Sequence, residues 1–404
     1  MKKKIAIFSD FAQNSGGAFH EASYLVKSII HNNKDKYDFL VIKPPSSEEL
    51  QLGLLKIKHI NFSLNEIERY FHFIRNHNPL IRRVKKYFFF KNKFESFLKK
   101  HNVDFVFFPG PSQYSLYLED IDFIITVPDV CHRENLEVPE WTKKGEFERR
   151  EELLQKSLIK AIGVITNAQS IKEKLVAYYN LDELRVHVIN QQPSAKIKNF
   201  KFDETINFEF KKKYNLPKNY LFYPAMYLPQ KNHKYIFEVI KILKKDYKID
   251  MKAVFCGVDK GYLDNLKKYS SSNNLDKDIF YFNYIEDKYL PYFYKYSFAL
   301  AMPTLSGPTN LPVWEGFKME KLVFYSNLNH SNSVYGDGPC YIDPLNPESM
   351  ANLIKLYYEN NSKKNDQILK GLSQFKKNTF AIDIKIIDKI LENYFKTKLI
   401  WDFK

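Results

Sequence analysis

The stretch Phe298-Ala299-Leu300-Ala301-Met302-Pro303-Thr304-Leu305-Ser306-Gly307-Pro308-Thr309-Asn310-Leu311-Pro312-Val313-Trp314-Glu315-Gly316 organises the reading of the chain. Its first four residues are an uninterrupted apolar run, the pattern of a strand buried on both faces. The Gly/Pro/Thr/Asn segment cannot extend that strand, and Pro312 with the spaced apolar residues after it opens a helix. Strand, loop and helix start in this order present backbone N–H groups and the positive end of a helix dipole. A phosphate fits such a place.

The alternation continues in both directions. Short apolar runs at 220–223, 252–257, 279–281, 322–325 and 340–342 flank the opening stretch, with helical spacing over about 232–245, after Pro347 and over about 381–395. The first half repeats the scheme: runs at 5–8, 39–42, 104–108, 123–127, 162–166 and 186–189, with helical segments notably at 146–160 and 170–179. Buried strands alternating with helices predict an α/β chain built on parallel, doubly wound sheets. With 404 residues, two such domains are expected. The polar, basic segment 194–213 reads as the linker between them. Asn14-Ser15-Gly16-Gly17 after the first run makes a βα turn whose glycines either admit a ligand close to the backbone or serve only the turn. It does not match G-x-G-x-x-G, so no nicotinamide site is read there.

A net charge of +15 implies an anionic partner. It does not choose among nucleotide phosphates, anionic lipid and nucleic acid, and an AT-rich coding genome would also give a Lys- and Asn-rich chain. The segment 78–94 interleaves Lys and Arg with aromatics. It suits an anionic lipid surface, a core-packing helix with a solvated basic face, or a single-stranded nucleic acid. No nucleic-acid motif accompanies it, so no nucleic-acid partner is expected. Three cysteines, Cys131, Cys256 and Cys340, are widely spaced and form no C-x-x-C, which argues against a disulfide framework or a zinc site. No apolar run reaches about 18 residues, and the apolar run after Lys2-Lys3-Lys4 is too short for a signal peptide. The expected location is the cytoplasm.

Tyr223-Pro224-Ala225-Met226-Tyr227-Leu228-Pro229-Gln230-Lys231-Asn232-His233, followed by Gly307 to Glu315, resembles the bacterial group-1 (family 4) glycosyltransferases, whose fold is GT-B. Ser326-Asn327, the run Tyr335 to Pro344, and Pro128-Asp129-Val130-Cys131-His132 with Pro139 downstream are similar to that family in the same order. The resemblance implies two Rossmann-like domains facing each other across a cleft: residues 1–195 for the acceptor, rejoined by a C-terminal helix over 381–404, and 214–380 for a nucleotide-sugar. It implies retaining transfer of a sugar from a nucleoside diphosphate to a glycan or lipid-linked acceptor in surface polysaccharide synthesis (O-antigen, capsule or lipooligosaccharide). No cofactor or metal is expected. Peripheral contact with the anionic inner face of the cytoplasmic membrane is. A small soluble acceptor, or a degenerate nucleotide-sugar-binding protein without activity, remains the alternative reading.

By the same resemblance Lys231 neutralises the leaving phosphate, assisted by the backbone N–H groups of Thr309, Asn310 and Leu311, and Glu315 accepts from the ribose hydroxyls. Gly16, Gly17, Asn232 and Gly307 complete the expected donor site. The alternative for Lys231 and for Glu315 is a solvated helix residue. Asp129 and His132 are candidates for orienting the acceptor or taking its proton, or for tying down their loop. The sequence departs from the family at three places: Gly307 stands where the E-x7-E motif has its first glutamate, Ala225 and Met226 where an arginine is common, and Pro128 where a histidine is common.

Overall fold

The computed structural model describes residues 2–12, 16–52, 55, 57–77, 92–307 and 309–401. The basic aromatic segment 78–94 lies outside the described residues except for Asn92, Lys93 and Phe94, and so do Asn14, Ser15 and Pro308. The described residues form two compact units. One comprises Met1–Glu134, Trp141–Asn190 and Thr379–Lys404, the other Asn135–Glu140 and Gln191–Asn378.

In the first unit seven strands form one sheet: β1 Lys3–Phe8, β2 Tyr37–Lys43, β3 Lys58–Asn61, β4 Phe105–Phe108, β5 Phe123–Thr126, β6 Gly163–Thr166 and β7 Val186–Val188. The order is β3-β2-β1-β4-β5-β6-β7, and every pairing is parallel. All residues of β4, β5 and β6 are buried, as a sheet covered on both faces requires. The helix Gly17–Asn33 contributes Phe19, Leu25, Val26, Ile29 and Ile30 to the core. The chain's last part packs on the same unit: Phe380, Ile384, Ile387, Leu391 and Phe395 enter that core. Asn33 Nδ2 donates to Asp388 Oδ1 at 2.6 Å and Tyr394 Oη to Asp122 Oδ2 at 2.8 Å, which fixes the terminal helix Lys385–Trp401 in place.

The second unit holds β8 Tyr220–Pro224, β9 Lys252–Cys256, β10 Ile279–Phe282, β11 Ala299–Met302, β12 Leu322–Ser326 and β13 Cys340–Ile342, ordered β10-β9-β8-β11-β12-β13 and again wholly parallel. Its core is unusually aromatic, with Tyr220, Tyr223, Tyr227, Tyr292, Tyr294, Tyr325 and Tyr335 among the largest fully buried side chains. A buried tyrosine must place its hydroxyl. Tyr220 donates to Phe293 O at 2.7 Å and Tyr227 to Phe282 O at 2.7 Å.

Two expectations are corrected. The segment 194–213 is not an irregular linker: it carries the short helix Ala195–Lys198 and most of the helix Glu204–Tyr214. Asp203 caps the latter by accepting from Ile206 N at 3.0 Å, and Phe210 packs on Phe293 with ring centroids 5.1 Å apart. Ile206, Phe210 and Tyr214 are spaced by four, so they form one apolar stripe beside a lysine-rich face. The first sheet also has an additional strand, β3, which carries no apolar run because it is a half-exposed edge.

Candidate active site

In each sheet the strand order reverses once, between β1 and β4 and between β8 and β11. The loops leaving the carboxyl ends of such neighbours diverge and leave a crevice where ligands bind. In the second unit those loops carry Lys231 and the stretch 303–310.

The path from β8 passes Ala225 and closes in the short turn Pro229–Lys231. Gly257 makes that path possible, since a Cβ there would collide with the Ala225 carbonyl. Gln230 then ties the turn to the loop after β11. Its carbonyl accepts from Leu305 N at 2.8 Å and from Thr304 Oγ1 at 3.4 Å, and its side-chain oxygen accepts from Ser306 Oγ. Lys231 ends the turn rather than starting the helix. Asn232 adopts φ 54°, ψ 39°, and the helix runs from His233 to Lys245.

Lys231 Nζ donates to Asn310 Oδ1 at 3.3 Å. Asn310 Nδ2 donates in turn to Gly307 O and to Tyr325 Oη, both at 2.8 Å, and Tyr325 Oη donates to Gly307 O at 2.9 Å. Gly307 has φ +89°, a conformation that side chains rarely adopt, so a glutamate there would be strained in this loop. The expected backbone donors differ among themselves. Asn310 N–H already donates to Tyr335 Oη at 2.5 Å, whereas Leu311 is the first residue of the helix Leu311–Lys318, whose first turn carries no acidic side chain. The Asn232 side chain is turned to Pro344 O at 2.9 Å.

Glu315 lies on the same helix and is only 4 % exposed. Its carboxylate accepts from Tyr294 Oη at 2.8 Å and from Ser194 N at 3.3 Å. Burial, and then the Glu315 charge, push the Tyr294 phenol well above its ordinary range, so it stays a donor. A carboxylate offers about four lone-pair positions, which leaves Glu315 capacity for a further donor. His233 is fully buried against Tyr223, Tyr227 and Phe255, and burial lowers its pKa to about 3. It is a neutral packing group.

The first unit has its own reversal point. Asp10 follows β1 and accepts from Ser112 Oγ, beyond β4, at 2.7 Å. Burial raises its carboxyl pKa to about 6. The sequence reading missed this residue, although its place directly after the first strand was visible. Gly16, with φ 63°, precedes the helix that Gly17 begins, and its carbonyl accepts from Phe19 N at 3.1 Å. Gly16 and Gly17 therefore belong to a different unit from Lys231.

Asp129 and His132 hold their loop together. Asp129 Oδ1 accepts from Cys131 N at 3.0 Å and pairs with Arg150 at 3.7 Å. His132 is completely buried, with Nε2 3.1 Å from Glu151 Oε2 and 3.4 Å from Tyr179 Oη. Arg133, first, and His132 hold Glu151 down at about 2, while burial lowers the His132 pKa. Among the described residues no group of three or more His, Cys, Asp or Glu is placed to hold a metal ion, and no helix is long and apolar enough to cross a membrane.

Two wholly parallel sheets, each with one reversal point, and a terminal helix returning to the first unit define the GT-B class of fold. Known structures agree over the whole chain. HepE of Anabaena, in complex with UDP and glucose, is 14% identical with a TM-score of 0.69 and covers 98% of this chain and 99% of its own. A glycosyltransferase from Rickettsia africae is 17% identical with a TM-score of 0.67, each chain covered to 100%. WaaG, a glycosyltransferase involved in lipopolysaccharide biosynthesis, is 11% identical with a TM-score of 0.68, covering 96% of this chain and 99% of its own. No curated protein matches the chain by sequence. Residues 205–373, which include Lys231 and Glu315, match the family model of the glycosyl transferases group 1. The second unit's residues 205–373 are thus similar to the glycosyl transferases group 1, and the whole chain has the GT-B fold of the solved structures.

Proposed function

We propose that this enzyme moves a sugar from a UDP-sugar to a glycan or lipid-linked acceptor of a bacterial surface polysaccharide, with retention at the anomeric carbon. The observation that carries the reading is the Lys231–Asn310 pair, 3.3 Å apart at the reversal point of the second sheet, beside the start of the helix Leu311–Lys318. In the transfer the bond from the anomeric carbon to the β-phosphate oxygen breaks and a bond to the acceptor oxygen forms. The acceptor's proton passes to the leaving phosphate. Negative charge grows on that phosphate, and Lys231 with the Leu311 N–H is placed to stabilise it. Glu315 has lone pairs left for the ribose hydroxyls. The first unit holds the acceptor. Its Asp129 and His132 fix the loop 128–132 and act on the acceptor only through it.

HepE with UDP and glucose supports the donor, and WaaG supports the class of product. A membrane-bound acceptor also suits the charge of +15 and the terminal helix, where exposed Leu399, Ile400 and Trp401 adjoin Lys396 and Lys398. Thermal-shift screening with UDP-, GDP- and dTDP-sugars tests the donor: one UDP-sugar should stabilise the protein, by about 2.7 kcal/mol at one hundred times its Kd. Stabilisation by none of the three groups rejects the reading. Salt-sensitive sedimentation with anionic liposomes tests the location.

A further inference from the structure

We propose that Glu140 is the residue that recognises the transferred sugar. Glu140 lies in the short helix Pro139–Thr142, within the segment Asn135–Glu140 that belongs to the second unit although the chain on either side belongs to the first. Its Oε1 accepts from Gln230 N at 3.1 Å. Its Oε2 is buried and has no hydrogen-bond partner among the described residues. A carboxylate oxygen withdrawn from water without a donor is costly, and a donor brought by a bound ligand is one way to complete it.

The place of that oxygen indicates what the donor is. Gln230, which Glu140 holds, is the residue before Lys231 and bonds to Thr304, Leu305 and Ser306 of the loop after β11. The open acceptor therefore belongs to a carboxylate bonded to the backbone of the residue before Lys231, the cation assigned to the diphosphate, and this is where we put the sugar esterified to it. The neighbouring side chains are occupied. Thr304 donates to Gln230 O and Ser306 O, Ser306 donates to Gln230, and Asn310 is shared by Lys231, Gly307 and Tyr325. Gly307 has no side chain to offer. A hexose presents several hydroxyl donors, and Glu140 Oε2 is the acceptor left for one of them. The inference rests on the nucleotide-sugar reading of the site.

Calorimetry separates the two claims. The probes are UDP and UDP-glucose, or the diphosphate and sugar nucleotide of whichever base the thermal screen selects, titrated into the wild-type enzyme, Glu140→Ala and Glu140→Gln. The wild type should bind the sugar nucleotide more tightly than the bare diphosphate. Glu140→Ala should lose that difference, about tenfold or more, with the diphosphate's Kd unchanged, and Glu140→Gln should keep part of it. A wild type that gains nothing from the sugar overturns the role. So does a difference that survives in Glu140→Ala, or an equal loss for both probes, which would make Glu140 only a support for the turn. If the wild type binds no nucleotide at all, the function itself is wrong.

Discussion

Lys231 Nζ stands 3.3 Å from Asn310 Oδ1, and the same asparagine donates through Nδ2 to Gly307 O at 2.8 Å. One amide thus ties the site's cation to the backbone of the loop after β11. Removing the cation, by Lys231→Ala, is expected to lower turnover of the nucleotide-sugar by ~10²–10³, the scale for losing one group that stabilises transition-state charge. Asn310→Ala keeps the charge and loosens its aim, so steady-state assays should show a smaller loss. A larger loss for Asn310 than for Lys231 would mean that the loop, not the cation, carries the effect.

The pair Tyr294–Glu315 gives a stability prediction. Tyr294→Phe leaves a buried carboxylate oxygen without its 2.8 Å donor. Urea denaturation should show a loss of about 1.5–3 kcal/mol, the range for hydrogen bonds to charged groups. A change within 0.5 kcal/mol of zero would indicate that water replaces the phenol at no cost.

Gly307 tests the backbone. The nearest atom to an added Cβ is Asn310 Nδ2 at 3.6 Å, so Gly307→Ala meets no clash and its cost is that of φ +89° alone. The expected destabilisation is about 1–2 kcal/mol. Gly307→Glu should cost as much and should not raise turnover. A gain in turnover would show that the loop can adopt the shape which a glutamate prefers.

Asp10 sets a pH dependence. Burial raises its carboxyl from 3.8 to about 6 in the folded protein, so between those values the folded state holds a proton that the unfolded state has released. Stability therefore falls as pH rises through that window and this contribution is flat above it, a loss of about 3 kcal/mol at most. Asp10→Asn removes the ionisation. Melting curves should show the variant more stable than wild type at pH 7.5 and level with it at pH 4. A constant difference at both values would point to packing instead.

The strands were legible because parallel sheets buried on both faces need continuous apolar runs. The runs at 123–127 and 322–325 fall on β5 and β12. β3 was not, because Lys58, His59, Ile60 and Asn61 make a half-exposed edge with no such run. Helix Glu204–Tyr214 was hidden by its charged residues, since its apolar stripe is only Ile206, Phe210 and Tyr214, of which Phe210 alone is fully buried. The loop after β11 could be chosen from sequence, since a strand end and a helix start announce themselves locally, whereas Lys231 was singled out by the family resemblance. The ties made by Gln230, Asn310 and Glu140 could not, because they join residues 74 to 90 positions apart. His132 is the same case: its burial and its 3.1 Å approach to Glu151, 19 positions away, could not be read from its motif-like loop.

The most direct test of the central claim is calorimetric titration of UDP into the wild-type enzyme and into Lys231→Ala. The donor site proposed for the second unit predicts that wild type binds UDP and that the substitution raises Kd by about ten- to a hundredfold, the equivalent of one charge-assisted contact to the diphosphate. An unchanged Kd would place the diphosphate away from Lys231 and contradict the assignment.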